Sequence, residues 1–430
     1  MSYNVLLIGS GGREHALAYK IAQSPNLSRF YALPGNPGIA EYAQCIDSGM
    51  NDFGKIKEII KEKGIDLVVV GPEDPLVNGL RNYLFEDESL SELLFVGPDK
   101  AGAALEGSKD YAKAFMTKYN IPTAAYRSFS ASEMEDAVSF LKTLKPPYVL
   151  KADGLAAGKG VLILSDMEEA EKELSQMFSG KFGDAGNKVV IEEFLSGVEV
   201  SFFVLTDGKD YLLLPHAKDY KRIGDNDQGL NTGGMGAVSP VPFADEVFVQ
   251  KVKDRIIVPT IEGLRSEGID YRGFIFIGLM NCDGEPYVIE YNVRMGDPET
   301  EVVMPRIGSD FLAHLAAAAK GDLSMENFQV NPQSAMTVIM VSGGYPESYA
   351  KGYKITGLQN VDSDIIVFNS GTKISDGELV TSGGRVLAVT ALGDDLQSTR
   401  EHIYENIGKI LFTDSFNRSD IGLDMIFYNK

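Results

Sequence analysis

The sequence of 430 residues predicts a multidomain protein that combines α/β and α+β architecture. Three observations lead to this prediction. Short apolar strands alternate with helical segments near the N-terminus, a glycine-rich loop joins two strands in the middle of the chain, and further strands with a final helix occupy the C-terminal part. A chain of this length exceeds the usual size of one hydrophobic core, so two to four domains or subdomains are expected.

The N-terminal part is predicted to form a doubly wound parallel sheet. Its strands are expected at four apolar runs: Asn4–Ile8, Arg29–Leu33, Asp66–Val70 and Leu94–Val96. Helical segments from about Arg13 and over Asp52–Lys63 separate these runs, and strands separated by helices pair in parallel. Ligands bind such sheets at the carboxyl ends of the strands, where the glycine-containing turns at 9–12, 34–38 and 71–73 fall. The sequence therefore predicts a phosphate site on this rim.

The central and C-terminal parts are predicted from similar patterns. After the glycine-rich loop and its two strands, the expected elements are a helix around Met167–Met177, a strand at Lys188–Glu193, mainly antiparallel strands, and a long helix at about Asp245–Glu267. After Asn331–Pro332, a separate small α+β domain is predicted from strands Ala335–Val341 and Val386–Thr390 and a helix from about Asp394. The predicted boundaries are an N-terminal α/β domain at 1–103, a central domain at 104–300 with a lid subdomain at about 123–192, a connecting helix and linker at 301–331, and a C-terminal domain at 332–430.

Composition excludes several classes of function. The formal net charge of −21 is opposite to the basic surface that binds nucleic acid or a membrane. Cys45 and Cys282 are too few for a disulfide framework, and the four histidines are scattered without the spacings of zinc sites. No stretch approaches the about twenty consecutive apolar residues of a membrane span. We therefore predict a cytoplasmic protein, a monomer or weak homo-oligomer, with neither nucleic acid nor a membrane as partner.

The stretch KADGLAAGKG, residues 151–160, has the glycines and lysines of a phosphate-binding loop. A Walker loop begins with glycine and places Ser or Thr after its lysine. Here Asp153 stands at the first of these positions and Gly160 at the second, so the stretch is not a Walker loop. Short branched apolar runs flank it on both sides and predict a flexible loop between two strands. Such a loop lies over nucleotide phosphates as a lid, with Lys151 and Lys159 as charge partners.

The motif GSGGREH at residues 9–15 follows a strand and opens a helix, as a dinucleotide-binding turn does. Glu14 replaces the third glycine of that pattern, and the second strand ends in Ala32–Pro34, with no acidic residue for a ribose hydroxyl. NAD is therefore not expected. A phosphate on this helix is still expected, because unpaired amides and the helix dipole favour an anion. The alternative is a tight turn without a ligand.

Three later segments carry polar residues next to apolar strands. The segment 191–199, IEEFLSGVE, predicts either an exposed turn or, given the preceding loop, a hinge whose backbone contacts adenine while a carboxylate binds the ribose. In the segment 288–300, Glu290 and Asn292 share one face of a strand and suit magnesium beside bound phosphates, with Arg294 directed at the transferring group. The alternative, a solvated charged strand, is disfavoured by the apolar residues that precede it. The segment 216–236 is predicted to be a mobile functional loop.

Together these motifs resemble the ATP-grasp superfamily and, within it, the phosphoribosylamine–glycine ligase family. The resemblance covers nearly the whole chain and rests on the following stretches: VLLIGSGGREHALA, GPEDPLVNGL, LEGSKDYAK, KADGLAAGKGV, IEEFLSG, NTGGMGA, EYNVRMGDPET, GGYP, GTK and GGRVL. It implies a central ATP-grasp fold. It also implies a purine-biosynthetic reaction in which ATP phosphorylates the carboxylate of glycine and the amine of 5-phosphoribosylamine attacks the acyl phosphate, giving glycinamide ribonucleotide, ADP and phosphate.

The resemblance further implies roles for individual residues. Contacts with ATP are expected from Lys109, Lys151, Gly154, Gly158, Lys159, Gly160, Glu192, Glu193, Phe194, Leu195 and, at its ribose, Glu199. Glycine and phosphoribosylamine are expected at Gly11, Gly12, Glu73, Asp219, Arg294, Asp297, Lys373 and Arg385, with Asp219 on the ammonium of glycine. A magnesium or manganese ion is expected on Glu290 and Asn292. Arg294 and Lys151 are the expected catalytic residues.

Several positions depart from the family pattern. Tyr220, Tyr291 and Glu301 stand where the resemblance predicts His, Phe and Gln, respectively. Three alternative functions share fewer features with the chain. A sister ATP-grasp ligase or carboxylase shares the loop and the metal strand but does not use glycine. A Rossmann oxidoreductase shares only the first motif, and a noncatalytic nucleotide sensor binds ATP without releasing ADP.

Overall fold

A computed structural model describes residues 2–155, 160–323 and 327–428. The N-terminal part contains a sheet of five parallel strands in the order β3-β2-β1-β4-β5. The strands are β1 Tyr3–Gly9, β2 Leu27–Pro34, β3 Gln44–Cys45, β4 Leu67–Val70 and β5 Leu94–Val96. The helices are α1 Gly12–Ile21, α2 Phe53–Lys63, α3 Glu73–Val77, α4 Leu80–Phe85, α5 Lys100–Gly107 and α6 Lys109–Lys118. The predicted doubly wound sheet is confirmed.

Local chemistry explains these boundaries. All four residues of β4 are buried, as expected for a strand covered on both faces. Helix α2 begins after Asp52, whose carboxylate accepts a hydrogen bond from the Lys55 N–H at 3.0 Å. It ends at Gly64, which adopts the left-handed conformation with φ 58°. These are the start and stop signals that place α2 within one residue of its predicted position.

The glycine-rich loop belongs to a small antiparallel sheet in the order β6-β9-β7-β8. Its elements are β6 Tyr126–Ser130, α7 Met134–Leu141, β7 Tyr148–Ala152, β8 Val161–Leu164, α8 Met167–Gln176 and β9 Lys188–Glu193. This unit has a hydrophobic core of its own, which includes Phe129, Leu150 and Leu174. The loop leaves β7 and returns in β8, so it joins two antiparallel strands, as predicted.

A second antiparallel sheet follows in the order β11-β10-β16-β17. Its strands are β10 Val198–Thr206, β11 Tyr211–Leu213, β16 Gly273–Cys282 and β17 Glu285–Asn292. The long helix predicted beside it consists of α9 Glu246–Val252 and α10 Val258–Ser266, joined by a π-helical turn at Lys253–Ile257. Residues 194–197 connect β9 to β10 and therefore form the hinge between the two sheets.

The C-terminal sheet has the order β12-β15-β18-β22-β19. Its strands are β12 Lys218–Asp219, β15 Gly236–Ser239, β18 Ser334–Val341, β19 Ile366–Asn369 and β22 Arg385–Gly393. Two hairpins, β13 Arg222–Gly224 with β14 Gln228–Asn231 and β20 Thr372–Ser375 with β21 Glu378–Thr381, lie beside it in the chain. The remaining helices are α11 Thr300–Val303, α12 Phe311–Lys320, α13 Leu396–Ile407 and α14 Leu423–Ile426. The C-terminal residues do not build this sheet alone, because β15 pairs with β18 and so joins the segment 218–239 to it.

Among the described residues, no helix is both long and apolar enough to cross a membrane.

Candidate active site

The predicted metal strand, β17, belongs to a row of paired residues across the second sheet. Ser201 of β10 pairs with Gly278 of β16, and Gly278 pairs with Glu290 of β17. An isolated bridge joins Ser201 to Ala217 on its other side. Directly paired residues of antiparallel strands carry their side chains on the same face. A Cβ atom at Gly278 would lie 3.3 Å from Glu290 Cγ, so the glycine leaves space next to this carboxylate.

Glu290 is surrounded by positive charge but has no direct partner among the described residues. Burial opposes ionisation of this carboxyl, yet nearby cations hold its pKa below the ordinary value. In decreasing order of effect, these cations are Lys221, Lys151, Lys109 and Arg294. Three of them pair with other carboxylates, and no described group donates a hydrogen bond to Glu290 or lies within 4.0 Å of it as a salt bridge. An ionised carboxylate without a protein partner suits a hard cation.

Asn292 lies two residues beyond Glu290 on β17 and therefore on the same face. Between them, Tyr291 is buried on the opposite face, where its hydroxyl lies 2.7 Å from Thr260 Oγ1 of α10. The hydroxyl of Tyr291, at a position where the resemblance predicts Phe, thus links the strand to the helix behind it. This departure from the family pattern leaves the face with Glu290 and Asn292 unchanged.

Two lysines hold the carboxylate of Glu192. Lys151 Nζ lies 3.0 Å from Glu192 Oε1, and Lys113 Nζ lies 3.1 Å from Oε2. All three side chains are buried, and burial lowers the pKa of Lys113 to about 8 despite the charge of Glu192. Lys151 also donates a hydrogen bond to the backbone oxygen of Ile289, beside Glu290, at 3.1 Å. The Glu192 side chain, predicted in the adenine hinge, is therefore engaged by the protein.

Lys109 and Lys113 lie one helical turn apart on α6. Lys109 Nζ donates a hydrogen bond to the backbone oxygen of Gly154 at 3.0 Å, at the start of the glycine-rich loop. Burial lowers the pKa of Lys109, although the charge of Glu290 opposes this effect. Lys109 was predicted from the sequence, whereas Lys113 was not. The i,i+4 spacing was the available signal, since it places both side chains on one face of the helix.

The other predicted hinge residues follow β9. Phe194 is 40% exposed, and Leu195 is half-buried in the connection between the sheets. The side chain of Glu193 is held in place, because its Oε1 accepts a hydrogen bond from the Ala125 N–H at 2.8 Å. The hinge therefore presents backbone groups and an exposed aromatic ring next to the buried lysines.

The glycine-rich loop is described at its two ends. The backbone oxygen of Gly160 accepts a hydrogen bond from the Ala152 N–H at 2.8 Å, which closes the strand pair. Gly154 has φ 107°, a backbone conformation that residues with a side chain rarely adopt. Gly158 and Lys159, which were predicted to contact ATP, lie outside the described residues.

Arg294 is held between two carboxylates. Its guanidinium lies 2.9 Å from Glu106 Oε1 and 3.2 Å from Glu73 Oε2. Glu106 also accepts a hydrogen bond from the Val293 N–H at 2.7 Å. Burial raises the pKa of Glu106 to about 7 against the opposing charge of Arg294. The structure thus brings the predicted Arg294 and Glu73 together, and it adds Glu106, which the sequence analysis did not assign although it lies in the stretch LEGSKDYAK.

A second charged cluster contains Arg385 and Asp297. Arg385 NH1 lies 2.8 Å from Asp297 Oδ1 and donates a hydrogen bond to the backbone oxygen of Gly233 at 2.6 Å. A Cβ atom at Gly11 would lie 3.4 Å from Asp297 Oδ2, and one at Gly12 would lie 2.4 Å from an oxygen of the Glu301 side chain. The structure therefore places four predicted substrate residues, Gly11, Gly12, Asp297 and Arg385, in one neighbourhood.

The amide of Gly11 differs from the prediction of an unpaired donor. Glu14 Oε2 accepts a hydrogen bond from the Gly11 N–H at 2.6 Å, so a side chain of the same helix already satisfies it. The Glu14 side chain fills the space that Gly9 and Gly71 leave, where added Cβ atoms would lie 2.3 and 2.1 Å from it. Glu14, which replaces the third glycine of the dinucleotide pattern, therefore places a carboxyl group of the protein itself at this turn.

Asp219 lies on β12 of the C-terminal sheet, near other acidic groups. Burial raises the pKa of Asp219; the charge of Lys221 opposes this effect and that of Glu199 adds to it. Burial also raises the pKa of Glu299 to about 7, with a further contribution from the charge of Asp219. Ser201 Oγ donates a hydrogen bond to Glu299 Oε1 at 2.9 Å. Lys221 binds the carboxylate of Glu199, the predicted ribose contact. Glu299 was missed by the sequence analysis, because nothing in its neighbours indicates burial.

Lys373 lies apart from these contacts. It is exposed on β20, and among the described residues it forms no ion pair. The start of its hairpin is close to the second cluster, since the Gly371 N–H donates a hydrogen bond to the backbone oxygen of Arg385 at 2.9 Å. The structure thus brings the start of the Lys373 hairpin next to Arg385, while the Lys373 side chain is exposed to solvent.

Two antiparallel sheets joined by a hinge, with the glycine-rich loop on the first and the carboxylate strand on the second, form the arrangement of the ATP-grasp class. The sheets approach each other where Lys151 of β7 contacts Ile289 of β17. The chain has the fold of this class.

The family follows from comparison with known proteins. Residues 107–300 match the family model described as phosphoribosylglycinamide synthetase, ATP-grasp (A) domain, and residues 3–106 and 335–424 match the N and C domains of the same family. The chain therefore belongs to the phosphoribosylglycinamide synthetase family, as its motifs predicted.

Named relatives agree with this family. A phosphoribosylamine–glycine ligase of Agrobacterium fabrum is 46% identical over 426 residues, which is 99% of both chains. One from Pseudomonas aeruginosa is 44% identical and covers 97% of each chain. The crystal structure of this ligase from Thermotoga maritima has a TM-score of 0.84 at 36% identity and covers 97% of this chain and 99% of that one. A biotin carboxylase from Campylobacter jejuni, at 15% identity and a TM-score of 0.74 over 100% of this chain and 97% of that chain, shares the fold alone.

Glu301, at a position where the resemblance predicts Gln, gives a pH-dependent prediction. Its side chain is 1% exposed, and its Oε2 has no hydrogen-bond partner. Burial, followed by the charge of Asp297, raises its pKa well above the ordinary value, and Arg385 opposes this effect. The folded protein therefore keeps this proton at a pH where the unfolded chain has lost it. Stability is full below the ordinary carboxyl pKa of about 4.3 and decreases as the pH rises above it.

Replacing Glu301 by Gln removes this loss of stability. We expect the variant to unfold at a higher temperature than the parent at pH 7.5, and the difference to shrink as the pH approaches the ordinary carboxyl value. Thermal unfolding measured between pH 4.5 and 8 checks this. The same change at the exposed Glu347 is the control, and we expect it to leave the unfolding temperature unchanged at both ends of this pH range. A difference that does not vary with pH would contradict the assigned direction of the pKa.

Proposed function

We infer that this chain is an ATP-dependent ligase that joins glycine to 5-phosphoribosylamine and forms glycinamide ribonucleotide, ADP and phosphate in purine biosynthesis. The observation that carries this inference is the match to all three domains of one family, together with 46% identity to a named phosphoribosylamine–glycine ligase over 99% of both chains. The charged cluster between the two sheets supports the residue roles that follow.

Glu290 and Asn292 are the proposed ligands of a divalent cation, magnesium or manganese. Both supply oxygen atoms from one face of β17, and the ionised Glu290 has no protein partner among the described residues, so the donor set fits a hard ion. When bound, the ion neutralises negative charge on the phosphates of ATP. Gly278, the partner of Glu290 on the neighbouring strand, leaves space beside this carboxylate.

The protein's own groups position ATP in this proposal. Lys109 and Lys151, next to Glu290, contact the phosphates, and the hinge backbone at Phe194 and Leu195 contacts adenine. The glycine-rich loop closes over the phosphates and excludes water, because an acyl phosphate hydrolyses when water reaches it. The lid at 123–192 is the proposed moving unit, since it has its own hydrophobic core.

The acceptor substrates are proposed to bind on either side of Arg294. Asp219 holds the ammonium of glycine, which leaves the carboxylate of glycine free to attack the γ-phosphorus of ATP and release ADP. Arg294, fixed by Glu106 and Glu73, directs its guanidinium at the acyl phosphate. The amine of phosphoribosylamine then displaces phosphate and loses its proton to solvent. Positioning and charge neutralisation are sufficient for this step once the amine is unprotonated.

The test is release of ADP from ATP and magnesium, with glycine and freshly prepared 5-phosphoribosylamine supplied separately and together. We expect release only with both substrates. Release with bicarbonate or formate in place of glycine would support a sister ATP-grasp enzyme instead. Absence of release under every condition would support a noncatalytic nucleotide-binding protein.

The role of Lys373 gives a separate prediction. If its exposed ammonium meets the 5-phosphate of the second substrate, Lys373→Ala raises the KM for phosphoribosylamine by about tenfold, the effect of roughly 1.4 kcal/mol in binding. The KM for ATP is expected to stay within about twofold of the parent. Steady-state kinetics with each substrate varied in turn checks this, with the exposed Lys354→Ala as the control. An effect confined to ATP would contradict the role.

A further inference from the structure

Tyr220 stands between two residues of the site, Asp219 and Lys221, in an extended segment. Side chains alternate along such a segment, so residues 219 and 221 face one side and residues 218 and 220 face the other. The contacts agree with this alternation. Lys221 binds Glu199 on β10 of the second sheet. Tyr220, in contrast, is 3% exposed and contacts the C-terminal part of the chain.

The hydroxyl of Tyr220 makes two hydrogen bonds to the segment 418–424. It donates to Asp424 Oδ1, and it accepts from the Gly422 N–H at 3.0 Å. Lys218 Nζ lies 3.7 Å from the centre of the Tyr220 ring and 3.0 Å from Asp424 Oδ2. Asp424 therefore binds both residues that face this side of the extended segment.

Arg418 strengthens the same contact from within the protein. Its guanidinium is 1% exposed and lies 2.7 Å from Asp420 and 2.8 Å from Asp227. It also lies 5.3 Å from the centre of the Tyr220 ring and donates a hydrogen bond to the backbone oxygen of Arg222 at 3.1 Å. The segment 418–424 thus contacts residues 216–236, the substrate loop, both at Tyr220 and at residues that follow it.

We propose that the segment 418–424 is a clasp that fixes Asp219 and Lys221 through Tyr220, so that Tyr220 is a positioning residue for glycine binding. The proposal rests on the proposed function, in which Asp219 holds the ammonium of glycine. Such an anchor suits this loop because its other half, residues 229–236, contains four glycines, which have no side chains through which the protein could fix them. The tyrosine, at a position where the resemblance predicts His, supplies a donor and an acceptor at one atom.

The test variant is Tyr220→Phe, which removes only the hydroxyl. We expect the KM for glycine to rise about tenfold, while the KM for ATP stays within about twofold of the parent. Asp424→Asn is a second variant, which keeps an acceptor for the hydroxyl but removes the charge next to Lys218; it is expected to raise the KM for glycine by a smaller factor. Tyr271→Phe is the matched control, because its buried hydroxyl donates to the backbone oxygen of Phe274 at 2.6 Å and touches none of these residues.

A change limited to glycine in Tyr220→Phe, and absent in Tyr271→Phe, would support the clasp. An unchanged KM for glycine, or an equal rise for glycine and ATP, would overturn it. Hydrogen exchange of residues 218–222 without substrate gives a readout that does not depend on activity: faster exchange in Tyr220→Phe is expected, and unchanged exchange would also overturn the clasp. If the parent releases no ADP with glycine, the proposed function fails, and the exchange measurement still decides whether the clasp exists.

Discussion

Glu290→Ala is expected to lower the rate of ADP release by at least about a hundredfold, through loss of charge stabilisation that depends on the metal ion. In the parent, the Glu290 carboxylate is ionised among four cations and has no protein partner among the described residues. The variant loses one of two proposed metal ligands, and with it the negative charge that these cations surround. The measurement is the initial rate at saturating ATP, glycine and phosphoribosylamine over a range of magnesium concentrations.

Two further variants separate the metal role from a general effect on the strand. Glu285 lies at the other end of β17, where its carboxylate pairs with Lys251 and Arg255 at the surface. The variant Glu285→Ala is therefore expected to keep a near-normal rate. Glu290→Asp keeps the charge but shortens the side chain, so we expect it to need more magnesium and to regain part of the rate when magnesium is raised. A near-normal rate in Glu290→Ala would remove the metal assignment.

Arg294→Ala is expected to reduce both turnover and stability. The guanidinium lies within 3.2 Å of Glu106 and Glu73, and its removal leaves two carboxylates close together without their counter-ion. Removal of one partner from a buried ion pair costs about 3 to 5 kcal/mol of folding stability. Loss of the guanidinium group that is proposed to face the acyl phosphate is expected to lower turnover by about a hundredfold or more.

A double variant distinguishes the two effects of Arg294. Glu106→Gln in the Arg294→Ala background removes the unpaired charge, while the side-chain oxygen still accepts the hydrogen bond of the Val293 N–H. We expect the midpoint of unfolding by urea to return most of the way toward the parent value, and turnover to stay low. Recovery of turnover together with stability would show that Arg294 acts only as a structural counter-ion. Glu106→Gln alone is the control for effects of the amide.

The strands and the family were predictable because their signals are local. The apolar runs that became β1, β2, β4 and β5 are buried on both faces, and such runs indicate a parallel sheet without knowledge of the rest of the chain. The period of two places Glu290 and Asn292 on one face for the same reason. The motifs that indicate the family are also continuous in the sequence.

The site residues that were not predicted could not be found in this way, because their roles depend on burial and on partners that are distant in the sequence. Glu106 lies in an ordinary helical sequence and gains its meaning from Arg294, nearly two hundred residues later, at 2.9 Å. Lys113 forms an ion pair with Glu192 in another element. The pKa of Glu299 is raised by burial and by the charge of Asp219, which is distant in the sequence. The hydrogen bond of the Gly11 N–H to Glu14, within the turn predicted to bind phosphate, was likewise not predicted from the sequence.

By itself, the sequence determined the order of elements, the family, and the residue types that supply charge to the site, since these follow from short-range patterns of polarity. Only the tertiary structure decided which of the charges meet. It pairs Lys151 with Glu192, gives Glu290 no partner within the described part of the chain, and joins the substrate loop to the segment 418–424 through Tyr220. The physical reason is that charge interactions and desolvation depend on distance and burial, which the fold sets between residues far apart in the chain.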